Sequence, residues 1–118
     1  MLVRAVLKCR DRDNVLVICN SDTWQNHIVA KHPEMKGGLA YVRAVLESPD
    51  QIYQDASHAN ERNFYRYGIM PDPYNQQYVR VGVRYEDKKL TGPRGYVITA
   101  FACQGVKKGE ILRWSRWY

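Results

Sequence analysis

The sequence has no long apolar run and only three cysteines, and both features limit the classes of protein to which it can belong. No stretch approaches the roughly 18 apolar residues of a membrane-spanning helix, and no cleavable signal pattern precedes the first predicted strand. The three cysteines, Cys9, Cys19 and Cys103, are odd in number and widely spaced, without a C-x-x-C pair. This pattern favours reduced thiols in a cytoplasmic protein over a zinc site or a disulfide framework.

The sequence also lacks a cluster of Asp and Glu residues of the kind that holds two catalytic metal ions, so we expect neither a metal nor a cofactor. Basic residues dominate its second half instead. Residues 1–58 hold seven Lys/Arg and seven Asp/Glu, whereas residues 59–118 hold eleven Lys/Arg against five acids, and the net charge is +6. A basic half suits a polyanionic partner such as RNA, although proteins that bind no polyanion also carry basic surfaces.

Hydrophobic periodicity divides the 118 residues, a length typical of one domain, into helices and strands. The pattern predicts an N-terminal strand pair within residues 1–19, at residues 2–9 and 15–19. It then predicts one helix up to about His32 and a second helix that ends before Pro49. Five further strands are predicted at residues 51–55, 63–67, 77–85, 95–102 and 111–114. Two helices followed by a run of strands predict an α+β domain, with the helices packed on a four- to five-stranded antiparallel sheet.

The first predicted helix carries the residues best suited to acid–base chemistry. Trp24, His27, Ile28 and Lys31 recur at helical spacing, which predicts one face directed towards the sheet. His32 lies about 140° from His27 around an ideal helix. Imidazoles titrate near neutral pH and can act as general acid and base. The alternative for His27 is a hydrogen-bonded histidine at the edge of the core, and for His32 a favourable interaction with the helix dipole.

The predicted strands carry arginine, tyrosine and threonine side chains that could bind a phosphate group or a base. Arg80 and Arg84 share one strand face with Tyr78, which could stack on a base. If Arg66 of the neighbouring strand shares this face, the sheet presents a cluster of fork-shaped donors. A solvent-facing sheet with ordinary charges is the alternative. Thr99 lies in an apolar strand, and its hydroxyl would donate to a phosphate oxygen if it faced a cleft.

An ordered series of motifs carries a resemblance to a known family. The series runs Trp-x-x-His-Ile at 24–28, Lys-His-Pro-Glu at 31–34, Phe-Tyr-Arg at 64–66, Gly-Tyr-Val-Ile-Thr-Ala-Phe at 95–101 and Lys-Lys-Gly-Glu-Ile-Leu at 107–112. Over residues 20–114, this series resembles the phage-associated nuclease domains of the barnase–EndoU–colicin–RelE superfold. The resemblance implies two N-terminal helices on a four-stranded antiparallel sheet, and a metal-independent ribonuclease activity.

The resemblance, together with the residue types, assigns roles by position. The predicted catalytic residues are His27, Lys31, His32, Arg66 and Thr99. The predicted RNA contacts are Tyr78, Arg80, Arg84, Lys107 and Lys108.

These observations predict an endoribonuclease that uses the RNA 2′-hydroxyl as its nucleophile. His27 or His32 would accept the proton of that hydroxyl, and His32 or Lys31 would protonate the leaving 5′-oxygen. Two alternatives stay open. One is a non-catalytic RNA- or ribosome-binding module of the same fold, and the other is a toxin-like protein that an acidic inhibitor protein neutralises.

Overall fold

The computed structural model describes residues 4–117, so residues 2 and 3 of the first predicted strand lie outside the described residues. The strands are β1 (Ala5–Arg10), β2 (Leu16–Asn20), β3 (Gln51–Gln54), β4 (Glu61–Tyr67), β5 (Tyr78–Lys88), β6 (Gly92–Cys103) and β7 (Ile111–Ser115). Between β2 and β3 lie a π-helix (Thr23–Val29), a 3₁₀-helix (Pro33–Met35) and the α-helix α1 (Leu39–Glu47).

The strands form one mixed sheet of seven, in the order β1-β2-β6-β5-β4-β3-β7. β2 runs parallel to β6, with Leu16 beside Arg94, and the other neighbouring pairs are antiparallel. The predicted antiparallel sheet of four to five strands is therefore wrong. Periodicity located the individual strands, but it carries no information about which strands pair. The N-terminal hairpin joins the same sheet as the later strands and adds the parallel pair.

The core lies between α1 and one face of the sheet. Strict alternation along β5 directs every second residue to this side. The fully buried aliphatic residues of α1 and β5 are Val42, Val45, Leu46, Val79, Val81 and Val83. Burial of each such side chain contributes about 1.5–3 kcal/mol, which offsets the cost of ordering the chain. We call the side covered by α1 the helix face of the sheet, and the opposite side the outer face.

The turn between β1 and β2 contacts strands β5 and β7 on the helix face. In the turn between β1 and β2, the guanidinium of Arg12 lies 4.0 Å from the ring centre of Trp114 in β7. In the same region, the hydroxyl of Tyr85 in β5 donates a 2.7 Å hydrogen bond to Asp11. These two contacts bring the β1–β2 turn close to strands that lie several positions away in the sheet.

The first helix is a π-helix rather than the predicted α-helix. Trp24 and Ile28 are buried as expected, but His27 is exposed. Hydrogen bonds from i to i+5 widen each turn, so a residue three positions along the chain no longer returns to the same face. The predicted inward direction of His27 is therefore wrong. His32 lies beyond the π-helix, and its backbone N–H bonds to the carbonyl of Ile28.

Two of the thiols are buried in the core, and none of the three is in a disulfide. Burial raises the pKa of Cys9 to about 11 and that of Cys19 to about 12. Thiolate is the reactive form, so neither residue is suited to be a nucleophile near neutral pH. None of the helices in residues 4–117 has the length and apolar character that a bilayer span requires.

Candidate nucleic-acid-binding and catalytic site

His27 lies beside the half of β6 that β2 leaves uncovered. Its side chain is 58% exposed, and it lines a shallow depression together with Thr23, Arg84 and Ile98. The imidazole Nε2 lies 4.0 Å from Oδ2 of Asp22, a carboxylate five residues earlier on the same helical segment. The wide turn of the π-helix accounts for this contact, because residues five apart do not face each other in an α-helix. An imidazole with a carboxylate nearby, and the guanidinium of Arg84, therefore border one solvent-open space.

His32 lies beside a later part of β6, near Phe101. Its ring stacks on Phe101 of β6, with 4.8 Å between the ring centres, and the guanidinium of Arg80 lies 5.2 Å from the centre of the Phe101 ring. The carboxylate of Glu34 accepts a 3.1 Å hydrogen bond from the backbone N–H of Ala102. This bond fixes the histidine-bearing segment to β6. The ring of His32 stays only partly buried.

Thr99 lies on β6 between the positions that His27 and His32 contact. It pairs with Gly82 of β5, and a Cβ at Gly82 would lie 2.8 Å from Thr99 Cγ2. Glycine at this position therefore lets Thr99 lie flat against the outer face. His27 thus lies near Ile98 and His32 near Phe101, on either side of Thr99 along β6.

Arg66 lies on the helix face, apart from the other predicted arginines. Its guanidinium donates to the backbone carbonyls of Ala44 and Ser48, at 3.4 and 3.2 Å. A cation at the C-terminal end of a helix satisfies carbonyls that have no partner within the helix. Arg80 and Arg84 point to the outer face. The predicted grouping of Arg66 with these two arginines is therefore wrong, because the pairing of β4 with β5 turns Arg66 the other way.

Arg80 belongs to a buried polar network on the outer face. Its Nε donates to the hydroxyl oxygen of Tyr65 (3.0 Å), and its Nη2 lies 3.4 Å from Glu110 Oε1. Tyr65 and Asn63 each donate a 2.6 Å hydrogen bond to the same carboxylate. Burial, followed by the acceptor Glu110, raises the pKa of Tyr65. The side chain of Arg80 is 9% exposed, and its guanidinium also lies 3.9 Å from Asp55 Oδ1, so Arg80 is a buried ion-pair partner rather than a surface contact for RNA.

No family model, curated protein or solved structure matches this chain. The resemblance of its motifs to a nuclease family stays a prediction. The geometry of the described residues is therefore the only support for the candidate site.

The other predicted site residues are Lys31, from the catalytic set, and the RNA contacts Lys107, Lys108 and Tyr78. Lys31 is exposed just after the π-helix, and Lys107 and Lys108 are exposed in the turn between β6 and β7. Tyr78 is half-buried on the outer face, where its ring meets that of Tyr67 edge-to-face at 5.1 Å. Tyr67 is 49% exposed, so this pair offers an aromatic surface to a base. The sequence motifs did not predict that Asp22 and Phe101 belong to the site. The position of Asp22 depends on the π-helix, which no sequence signal indicates, and the contact of Phe101 with His32 is a tertiary one.

Asp55, His58 and Glu61 are residue types that bind metals, and their ligand atoms lie within 4.8 Å of one another. The carboxylate of Asp55 already accepts hydrogen bonds from Asn63 and from the backbone of His58. Arg84 Nε lies 3.7 Å from Glu61. These donors occupy the carboxylates and oppose a divalent cation. We therefore assign no metal to this group.

Asp55 should make the protein less stable in acid. Partial burial raises the pKa of Asp55, but hydrogen bonds from Asn63, Ser57 and His58 outweigh it and lower the pKa from 3.8 to about 2. A carboxyl with a depressed folded-state pKa stabilises the fold above its unfolded pKa, and this contribution is lost as the pH falls through the folded pKa. Asp55→Asn should therefore be less stable than wild type near neutral pH. The difference should shrink between about pH 4 and about pH 2.

Urea denaturation at each pH measures this difference. Asp87→Asn is the matched control, because Asp87 is exposed on β5. Its stability should follow that of wild type across the same range. A gap between Asp55→Asn and wild type that stays constant down to about pH 2 would contradict the assignment.

Proposed function

We propose that this protein is a metal-independent endoribonuclease of the cytoplasm, with its site on the outer face along residues 98–101 of β6. One observation carries the proposal. His27 and His32, from one helical segment, flank the strand position of Thr99, and Arg84 lies beside His27. Two imidazoles on either side of a phosphate site can act as the base and the acid of phosphodiester cleavage.

The chemistry begins at the 2′-hydroxyl of RNA. His27, oriented by Asp22, accepts the hydroxyl proton as the oxygen attacks the adjacent phosphorus. His32 donates a proton to the 5′-oxygen as its bond to phosphorus breaks. The products are a 2′,3′-cyclic phosphate and a 5′-hydroxyl. Arg84 takes the place predicted for Arg66 and stabilises the added charge of the phosphorane, while Thr99 donates to a phosphate oxygen.

The decisive experiment incubates the pure protein with end-labelled RNA, with and without a chelator. A matched strand carries a single 2′-deoxy residue at the preferred cleavage site. Cleavage should persist in chelator, stop at the deoxy position, and leave a cyclic phosphate end. Loss of cleavage in chelator, or cleavage at the deoxy position, would exclude this mechanism.

A second function is RNA binding without cleavage, and the packing of His32 favours it. The His32 ring lies on Phe101, and Arg80 lies against the same aromatic ring. This arrangement resembles the platforms on which bases stack, and such platforms require no proton transfer. Intact RNA that remains bound to wild type, to His27→Ala and to His32→Ala with equal affinity would favour this function.

A further inference from the structure

A second basic concavity lies on the helix face, on the opposite side of the sheet from the candidate catalytic site. It is lined by Arg12, Asp13, Ile52, Arg62, Arg113 and Trp114. Three of these six residues are arginines, and one is acidic. The arginines come from the β1–β2 turn, from β4 and from β7, which are far apart in sequence. The tertiary fold, rather than a local run of charge, brings them together.

Arg12 is held in place at this concavity. Its guanidinium lies 4.0 Å from the ring centre of Trp114, and its Nη1 donates a 3.0 Å hydrogen bond to Asp13. Stacking uses the flat face of a guanidinium and leaves the N–H groups on its edge available to bind an oxygen. Because Arg12 is already fixed in this way, binding of a ligand to it would cost little further side-chain entropy.

The charges of the concavity do not balance. Asp13 is shared between two arginines, because its Oδ2 also lies 3.9 Å from Arg62 Nη1. Arg113 is exposed, and no carboxylate among residues 4–117 lies within ion-pair distance of it. Three guanidinium groups therefore face one carboxylate. Among the lining residues, an added anion would therefore meet more positive than negative charge, on side chains from three separate parts of the chain.

We propose that this concavity binds a phosphate group, with Arg12, Arg62 and Arg113 as donors. Planar guanidinium groups match the oxygen spacing of phosphate and bind it through paired hydrogen bonds. The carboxylate of Asp13 holds Arg12 and Arg62 together in the absence of the ligand and gives way to the phosphate. The ligand is either free inorganic phosphate or a phosphodiester of a nucleic-acid strand. This site does not depend on the histidines or on RNA cleavage.

Binding of a fluorescent single-stranded DNA hexamer, followed by polarisation, tests the strand as ligand. DNA lacks the 2′-hydroxyl, so the proposed cleavage does not interfere. Arg113→Gln should weaken binding about three- to tenfold and reduce the slope of log affinity against log salt by about one. Asp13→Asn should tighten binding about two- to fivefold, since it removes the competing carboxylate. Arg43→Gln, an equal change of charge on α1, should bind like wild type.

Calorimetric titration with inorganic phosphate tests the free ion as ligand. Heat of binding that disappears in the double variant Arg62→Gln/Arg113→Gln would identify free phosphate as a ligand. Sensitivity of DNA binding alone would identify a strand phosphodiester. Arg113 is exposed, so its substitution should not prevent folding. The proposal is overturned if Arg113→Gln and Asp13→Asn both bind the two probes as wild type does. His27→Ala should retain this binding, which separates the outcome from that of the nuclease proposal.

Discussion

His27→Ala should lower the rate of RNA cleavage by about 10²- to 10⁴-fold, the contribution that one positioned general base makes to proton transfer. The imidazole lies in the same depression as Arg84, where a bound phosphate would bring the 2′-hydroxyl within reach. His27 is exposed and packs little, so its removal should leave the folded structure unchanged. Single-turnover cleavage of labelled RNA with enzyme in excess measures the chemical step directly.

His58→Ala is the matched control for this loss. His58 is also an exposed histidine, but it lies in the turn before β4, next to Asp55. Its removal should change the cleavage rate by less than about twofold, because it touches no group of the proposed site. His32→Ala should reduce the rate like His27→Ala, and the double variant should lose less than the product of the two. Cleavage by His27→Ala at the wild-type rate, with wild-type thermal stability, would remove this residue from the mechanism.

Glu110→Gln should lower the free energy of unfolding by about 3 kcal/mol, the largest stability effect that we expect from a change of one functional group. The side chain of Glu110 is 0% exposed and lies 3.4 Å from Arg80. It also accepts hydrogen bonds from Asn63 and Tyr65. The substitution keeps the shape of the side chain, but it leaves the buried guanidinium with only the more distant carboxylate of Asp55, 3.9 Å away, and places an amide among donors.

Glu47→Gln is the control, since Glu47 forms an exposed ion pair with Arg43 within α1. Such pairs contribute about 0.3–0.5 kcal/mol, so this variant should differ little from wild type. Urea or guanidinium denaturation gives both values. Equal stabilities of the two variants would mean that the buried network is not under the electrostatic constraint that its geometry indicates. Tyr65→Phe should fall between them, at about 1–3 kcal/mol, because it leaves Arg80 and Glu110 in place but removes one donor.

Local pattern located most of the strands, and long-range pairing explains why their arrangement could not be predicted. The alternation of β5 is visible in the sequence because each of its faces meets a different environment. Nothing in residues 16–18 indicates that β2 will pair with β6 rather than remain in a separate hairpin. The register between paired strands could not be predicted from local pattern either. Arg66 and Arg84 were predicted to lie together, and one residue of offset between β4 and β5 decides whether they share a face.

The candidate site was predictable as a set of residue types, but not as a geometry. His27 was expected to point inward because helical spacing was assumed to be that of an α-helix. The π-helix exposes this histidine and brings Asp22 beside it. A wide turn is held by tertiary packing of Trp24 and Ile28, and single-residue propensities do not encode it. Arg80 was expected at the surface, but its partner Glu110 lies thirty positions later in the chain.

The parallel pairing of β2 with β6 also affects how the chain folds during synthesis. Leu16 cannot meet Arg94 until translation has passed the second of these residues and the ribosomal tunnel has released it. Until then, the edge of β2 that pairs with β6 keeps its backbone N–H and C=O groups unpaired, while most of the remaining chain is made. Nascent chains with such late contacts fold slowly and are exposed to aggregation. We expect this protein to depend on chaperones that shield the hairpin until the strand beside it arrives.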